Sequence, residues 1–235
     1  MQPSTATLSA PDFRHVETWV FDLDNTLYPA ESRVFGQIER RMTQFVEQHL
    51  GLGFDEARRL QKTYYRDHGT TLAGLMRLHG VKADEYLSFV HDIDLSVLEA
   101  DVRLATAIGN LPGRRYVFTN GCRHHADRVL ARLELSALFE ECWDIRTIAF
   151  RPKPDPESYR DVLSRVDAAP PHTAFFDDIP RNLVPAHALG CTTIIVQNDF
   201  EWSRQGPEQP EVRPEDIDYT TDDLCGFLET IRVKR

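Results

Sequence analysis

Cysteine is scarce in this 235-residue chain: the four present, Cys122, Cys142, Cys191 and Cys225, share no short paired spacing. That excludes a zinc site and a disulfide framework, and the thiols are expected to be reduced and packed. Positive charge is short as well, with 27 Lys and Arg against 37 Asp and Glu and a net charge of −10. A nucleic-acid polymer would have to approach a predominantly acidic surface, which excludes it as a partner. A small phosphorylated metabolite is not excluded, because one local site can oppose the global charge. No apolar run approaches the roughly 20 residues that span a membrane, and the opening stretch MQPSTATLSAPDFRHVE has no basic start followed by an apolar segment. These absences lead to the expectation of a cytoplasmic protein without a membrane partner, carrying a flexible N-terminal arm over 1–15. Internal repeats and low-complexity tracts are absent too.

What is present is a β-α alternation. Short apolar runs of strand type recur at 18–21, 115–119, 143–148, 173–176 and 192–196. Between the later ones, apolar residues step by three and four: Leu130, Leu133 and Leu138; Tyr159, Leu163 and Val166; Leu183, Ala186 and Leu189. The pattern predicts an α/β fold, a Rossmann-like, mostly parallel sheet with helices on both faces. Residues 33–100 break the alternation. Phe35, Ile38, Met42, Phe45 and Val46 mark one helix, Ala57, Leu60 and Tyr64 another, and Leu72, Leu75, Met76 and His79 a third. The chain is therefore expected to divide into a core over 16–32 and 101–235 and an inserted all-helical cap over 33–100. The stretch 201–216, rich in Pro, Glu and Gln, is expected to be a solvated loop, with a last helix over 221–231 whose TTDD start supplies the cap.

Polar clusters follow the strand runs. VFDLDNTLYP puts Asp22 and Asp24 straight after the first strand, Thr119-Asn120-Gly121 follow the second, AFRPKPDP carries Lys153 between prolines, and Asp177-Asp178 end the fourth. Each alone is an ordinary turn, cap or solvated lysine. A parallel sheet, however, gathers strand ends on one edge, the edge where open α/β sheets bind ligands. Four carboxylates, Asp22, Asp24, Asp177 and Asp178, would then converge with one hydroxyl and one lysine. Crowded carboxylates repel unless a cation lies among them, and an all-oxygen set favours Mg²⁺ where phosphate is also handled. Lys153 can neutralise a phosphate or carboxylate, and Thr119 and the amides after it can donate to phosphoryl oxygens. Asp22 is left free to attack phosphorus, with Asp24 to protonate the leaving alkoxide and later deprotonate water.

The series DxDxT, strand-Thr, Lys-Pro, strand-DD resembles the four-motif signature of the haloacid dehalogenase superfamily of phosphohydrolases. Beyond it, FDLDNTLYP, YYRDHGTTLAGL, HDIDL and FTNG resemble the pyrimidine 5′-nucleotidase branch. The resemblance implies a helical cap inserted after the first strand, a Mg²⁺ ion and an aspartyl-phosphate intermediate. By position it implies Asp22 as nucleophile and metal ligand, and Asp24 as acid/base that also offers its backbone carbonyl to the metal. It implies Thr119, Asn120 and Gly121 around the phosphoryl group, Lys153 as charge balance, and Asp177 with Asp178 completing the metal site. Ile179 departs from the Ser that many relatives carry after the acidic pair.

The implied substrate is a nucleoside monophosphate of the UMP or CMP type, hydrolysed by a monomer or homodimer. Tyr65, Thr70 and Thr71, with Tyr64 beside them, are the cap candidates for base and ribose, although aromatic residues at helical spacing are commonly core. Asn182 is a candidate buttress of the Asp178 loop, and His124-His125, opening the helix after Thr119, could reach a leaving group, although solvated or capping histidines are the commoner case. The alternatives are a phosphatase or mutase of a phosphosugar, since the cap decides the substrate, and a silent scaffold. The last would be expected to have lost Asp22, Asp24 or Lys153, and all three are present.

Overall fold

The computed structural model describes residues 10–198 and 210–234. In chain order the elements are β1 (Thr18–Phe21), α1 (Val34–Leu50), α2 (Phe54–His68), α3 (Thr71–His79), α4 (Ala83–Val90), α5 (Val102–Gly109), β2 (Arg114–Phe118) and α6 (Arg123–Arg132). Then come β3 (Glu141–Trp143), α7 (Pro156–Arg165), β4 (Thr173–Asp177), α8 (Pro180–Ala188), β5 (Thr192–Val196), β6 (Tyr219–Thr221) and α9 (Leu224–Thr230). All six strands are parallel, in the order β3-β2-β1-β4-β5-β6. The order reverses at β1, so the crevice that a doubly wound sheet offers to ligands opens beyond the C-terminal ends of β1 and its neighbours.

The two-residue period of a strand divides the core into two layers. Trp19, Phe21, Val117, Phe176 and Ile194 pack on one face with Ile108, Val129 and Leu228 from α5, α6 and α9. Val20, Tyr116, Phe118, Phe175 and Ile195 pack on the other with Tyr159, Val162 and Leu183 from α7 and α8. Helices α1 to α4 form the insertion after β1. Inside it, α2 and α3 approach closely because Gly74 has no side chain: a Cβ there would lie 2.6 Å from the Tyr64 ring and Cβ.

Three local readings need correction. The strand expected over 143–148 ends at Trp143, because the Asp144 carboxylate accepts from the backbone N–H groups of Thr147 and Arg123, both at 2.9 Å, and turns the chain. A fourth insert helix, α4, was missed although Tyr86, Leu87 and Val90 follow a helical step. The two Thr of TTDD belong to edge strand β6, so the last helix starts later, capped by Asp223. Part of the tail expected over 201–216 lies outside the described residues. Of its described end, 211–215 is exposed as expected, and only Asp216 is buried, accepting from the Arg213 backbone N–H and guanidinium at 2.8 Å.

The expected arm over 1–15 is also anchored at its end. Asp12 bridges to Arg232, and Phe13 is fully buried against Trp19, Tyr219 and Phe227, with ring centroids 5.9, 5.0 and 5.8 Å away. Phe13→Ala should therefore cost roughly 3–5 kcal/mol, the usual loss for emptying a buried aromatic site, read by urea denaturation. A change under about 1 kcal/mol, typical of surface sites, would return Phe13 to a loose arm.

Candidate active site

The polar clusters converge at the strand ends. The Asp22 backbone N–H donates to Phe176 O at 2.8 Å, extending the β1–β4 ladder by one residue, and the Thr119 N–H donates to Trp143 O at 2.9 Å, extending β2 toward β3. The first carboxylate, the hydroxyl and the acidic pair thus come to one edge as continuations of strands, their place fixed by backbone pairing.

Lys153 arrives from a loop, and Asn120 holds it. The Asn120 amide donates to Lys153 O at 3.1 Å and accepts from Lys153 N at 2.8 Å, clamping both backbone groups. The buried ammonium then reaches Asp22 Oδ1 at 2.7 Å and Asp177 Oδ2 at 2.6 Å. Burial opposes the ammonium charge, but Asp177 and Asp22 outweigh it and raise the Lys153 pKa. Burial pushes the Asp22 carboxyl up, to about 7, against the pull of Lys153 and with the push of Asp177.

The structure separates the roles open to the members of each motif. The Asn120 side chain is spent on Lys153, which leaves only its backbone for a ligand. The Gly121 N–H is spent on Thr119 Oγ1 at 2.9 Å, which leaves the Thr119 hydroxyl proton free to point at the cavity that Thr119 lines. Asp177 is fully engaged: Oδ2 by Lys153, Oδ1 by Asn182 Nδ2 and the Ile179 N–H, both at 2.9 Å. The Ile179 departure is harmless in this respect, since its backbone is what serves. Asp178 accepts from Asn198 at 3.0 Å and lines the cavity. Burial and the neighbouring Asp22 and Asp177 push its carboxyl well above the usual range.

Oxygens of Asp22, Asp177 and Asp178 lie within 4.8 Å of one another. With one ammonium among three buried carboxylates and no His or Cys in the trio, the donor set fits a hard divalent cation. The Asp24 carboxylate lies outside that trio. Its Oδ1 accepts from Tyr28 Oη at 2.6 Å and His125 Nε2 at 2.8 Å. Burial pushes Asp24 up, but His125 and Tyr28 outweigh it and hold the carboxyl below its usual value.

A cavity of about 170 Å³ connects this cluster to the helical insert. Phe35, Ile38, Met42, Leu72, Leu87 and Val90 form apolar walls. Tyr65, Thr70 and Thr71 line it too: the Tyr65 hydroxyl accepts from Arg181 and the Thr70 hydroxyl, the cap of α3, accepts from Ala73 N at 3.0 Å, which leaves both protons free, whereas Thr71 donates to Gln61 O at 3.3 Å. Tyr64 is packed in the insert, its hydroxyl 2.5 Å from His79 Nε2. Sequence reasoning missed Tyr28, His91 and Arg181, and left His125 between a leaving-group contact and a solvated or capping role. Tyr28 had a signal, standing four residues after Asp24. His125 is fully buried.

Comparisons with known proteins give the family and the fold. A family model described as haloacid dehalogenase-like hydrolase matches residues 16–190. This chain belongs to that family. Phosphate metabolism protein 8 of Saccharomyces cerevisiae is 28% identical over 208 residues, which are 80% of this chain and 64% of that protein's length. Among solved structures, CbbY from Rhodobacter sphaeroides in complex with phosphate has a TM-score of 0.62 at 15% identity, covering 91% of this chain and 99% of that one. L-2-haloacid dehalogenase from Xanthobacter autotrophicus, with chloropropionic acid covalently bound, has a TM-score of 0.57 at 14% identity, covering 91% and 97%. These two share the fold.

The charge imbalance can be tested without any substrate. Asp178→Asn removes one of three crowded carboxylates, so without divalent cations it should raise the melting temperature by at least about 2 °C, the shift that 1 kcal/mol gives a chain of this size. The same variant should lose the rise in melting temperature that Mg²⁺ gives the wild type. A destabilised variant that still responds to Mg²⁺ would contradict the assignment.

Proposed function

We propose that this hydrolase is a Mg²⁺-dependent phosphomonoesterase working through an aspartyl-phosphate on Asp22, and that it acts on pyrimidine nucleoside 5′-monophosphates of the UMP or CMP type. The observation that carries the chemistry is the Lys153 ammonium shared between Asp22 and Asp177, 2.7 and 2.6 Å from each, beside the Thr119 hydroxyl and an Asp24 held by different partners. Asp22, Asp178 and the Asp24 backbone carbonyl would hold the cation, with Asp177 fixing Lys153 beside them. When bound, it offsets carboxylate and phosphate charge and polarises a phosphoryl oxygen.

In this reading Asp22 attacks phosphorus while the ester P–O bond breaks, and the Asp24 carboxyl gives its proton to the departing oxygen. Water then attacks the phosphorus of the acyl phosphate and gives a proton to Asp24. Inorganic phosphate leaves and both carboxyl groups return to their starting forms. His125 and Tyr28 favour the ionised Asp24 that the second half needs. The approaching phosphate charge favours the protonated form that the first half needs. Lys153 offsets the charge gathered around the transferring group, and the Thr119 hydroxyl and the amide N–H of Asn120 donate to its oxygens.

Apolar residues dominate the walls and support a flat base over a phosphosugar, with Glu39, Gln61 and Lys62 on the same lining for the polar edge of the base or the ribose. Tyr86 adds one polar point: its buried hydroxyl at the cavity wall makes no well-formed hydrogen bond among the described residues. Four free, buried cysteines agree with a reducing, cytoplasmic compartment.

Phosphate release from UMP, CMP, dTMP, AMP, GMP and several sugar phosphates, with Mg²⁺ or with excess chelator, tests this reading. UMP or CMP should lead the panel by about tenfold or more in kcat/KM, chelation should abolish turnover, and Asp22→Asn should remove nearly all activity with the fold intact. Sugar phosphates in the lead would move the assignment to the phosphosugar reading. Full turnover in chelator, or a tenth of wild-type turnover in Asp22→Asn, would overturn the mechanism.

A further inference from the structure

Behind Asp24 lies an arrangement that the four motifs do not include. His125, in the first turn of α6, is fully buried and presents Nε2 to Asp24 Oδ1 at 2.8 Å. Since a carboxylate only accepts, Nε2 donates. The other ring nitrogen, Nδ1, has no hydrogen-bond partner among the described residues. His91, the residue directly after α4, stacks on this ring with centroids 4.4 Å apart and planes 11° from parallel. His91 is itself buried, with Nδ1 3.2 Å from Cys122 Sγ. From the same α6, Arg128 donates to the carbonyl oxygens of His91 and Ile93 at 2.8 and 2.9 Å. One helix thus grips the segment where the chain leaves the insert and carries the ring that touches Asp24.

This geometry constrains the carboxyl. Tyr28 and His125 both donate to Oδ1, which fixes the carboxylate and leaves Oδ2 for proton exchange in the cavity that Asp24 lines. Tyr28 comes from the same turn as Asp24 and moves with it. His125 is the anchor from outside that turn, and a stacked ring limits its freedom to tilt. A general acid works only within hydrogen-bond reach of the oxygen it protonates, so an error of about 1 Å in its aim is costly.

We propose that His125 is a positioning residue that aims Asp24 at the leaving-group oxygen, and that His91 braces it, tying the orientation of the proton donor to the return of the helical insert. This inference rests on the phosphoester reading above, and it assigns to the histidine pair a role that neither the motifs nor the comparisons give.

A positioning role has a signature that a merely structural one lacks. Esters with a poor leaving group need the proton, whereas p-nitrophenolate departs without it. His125→Ala should lower kcat/KM for UMP on the order of 10²-fold, a usual scale for acid-base assistance, and for p-nitrophenyl phosphate at least tenfold less. His125→Gln, which keeps an N–H donor of similar reach, should recover a large part of the UMP loss. His91→Phe, which keeps a flat ring in the stack, should retain about fivefold more UMP activity than His91→Ala. Equal losses on both esters would overturn the inference. If His125→Ala fails to fold, His125→Gln carries the comparison, with a smaller loss of the same leaving-group bias expected. Crystal structures of wild type and variant give a second measurement independent of turnover: the Asp24 carboxylate should turn away from its wild-type orientation when the imidazole is removed, and an unmoved Asp24 would overturn the proposal. If the wild type released phosphate from none of the esters, the functional reading would fall, and the Asp24 orientation alone would decide the positioning role.

Discussion

The site depends on one buried ammonium. Lys153 lies between Asp22 and Asp177 with almost no solvent around it. A buried charge survives only if its partners are close and held, and the surrounding structure supplies both conditions. β1 and β4 are adjacent, which fixes the spacing of the two carboxylates through the sheet ladder. Asn120 clamps the lysine backbone, and Asn182, anchored in turn by the Tyr159 hydroxyl on its carbonyl oxygen, holds Asp177 from the far side. Strand order, a loop amide and two side chains of α7 and α8 therefore converge on a single charge.

That charge is not enough for the cluster around it, and the shortfall is what the site can use. Asp22, Asp177 and Asp178 crowd within 4.8 Å, so the apo arrangement is frustrated in a way a divalent cation relieves. Asp24, two residues from Asp22, has separate partners, Tyr28 and His125. Two carboxyl groups on one short turn thus experience opposite influences: burial drives one up, and hydrogen bonds hold the other down. Separation of this kind lets neighbouring acids take different parts in one reaction.

The fold was legible where periodicity and strand chemistry coincide. β1 and β5 fall on the runs that marked them, because a buried parallel strand needs a continuous apolar stretch. Short elements escaped for identifiable reasons. β6 is three residues of polar edge, and the run expected beyond Trp143 is broken by the Asp144 side chain, which competes with the ladder. At the site, residues belonging to linear motifs could be assigned roles, whereas for those acting across the fold the sequence left the role open. His125 lies 101 residues from Asp24 in sequence, and its neighbour His124 is exposed, so nothing local distinguishes a positioning ring from a solvated one. Residues chosen by type in the insert, Tyr65, Thr70 and Thr71, do line the cavity, and the Thr71 hydroxyl also donates to α2.

The central claim is covalent, that Asp22 itself takes up the phosphoryl group, and the most direct measurement is of that bond. An Asp24→Asn variant should form the acyl phosphate and hydrolyse it slowly, since its amide cannot activate water. After a brief reaction with p-nitrophenyl phosphate, whose leaving group needs no protonation, and an acid quench, peptide mass mapping should find one phosphoryl group on the peptide containing Asp22. Hydroxylamine should remove it, as it does from an acyl phosphate. Phosphate release at wild-type rate with Asp22 unmodified, or a phosphoryl group on another side chain, would contradict the account.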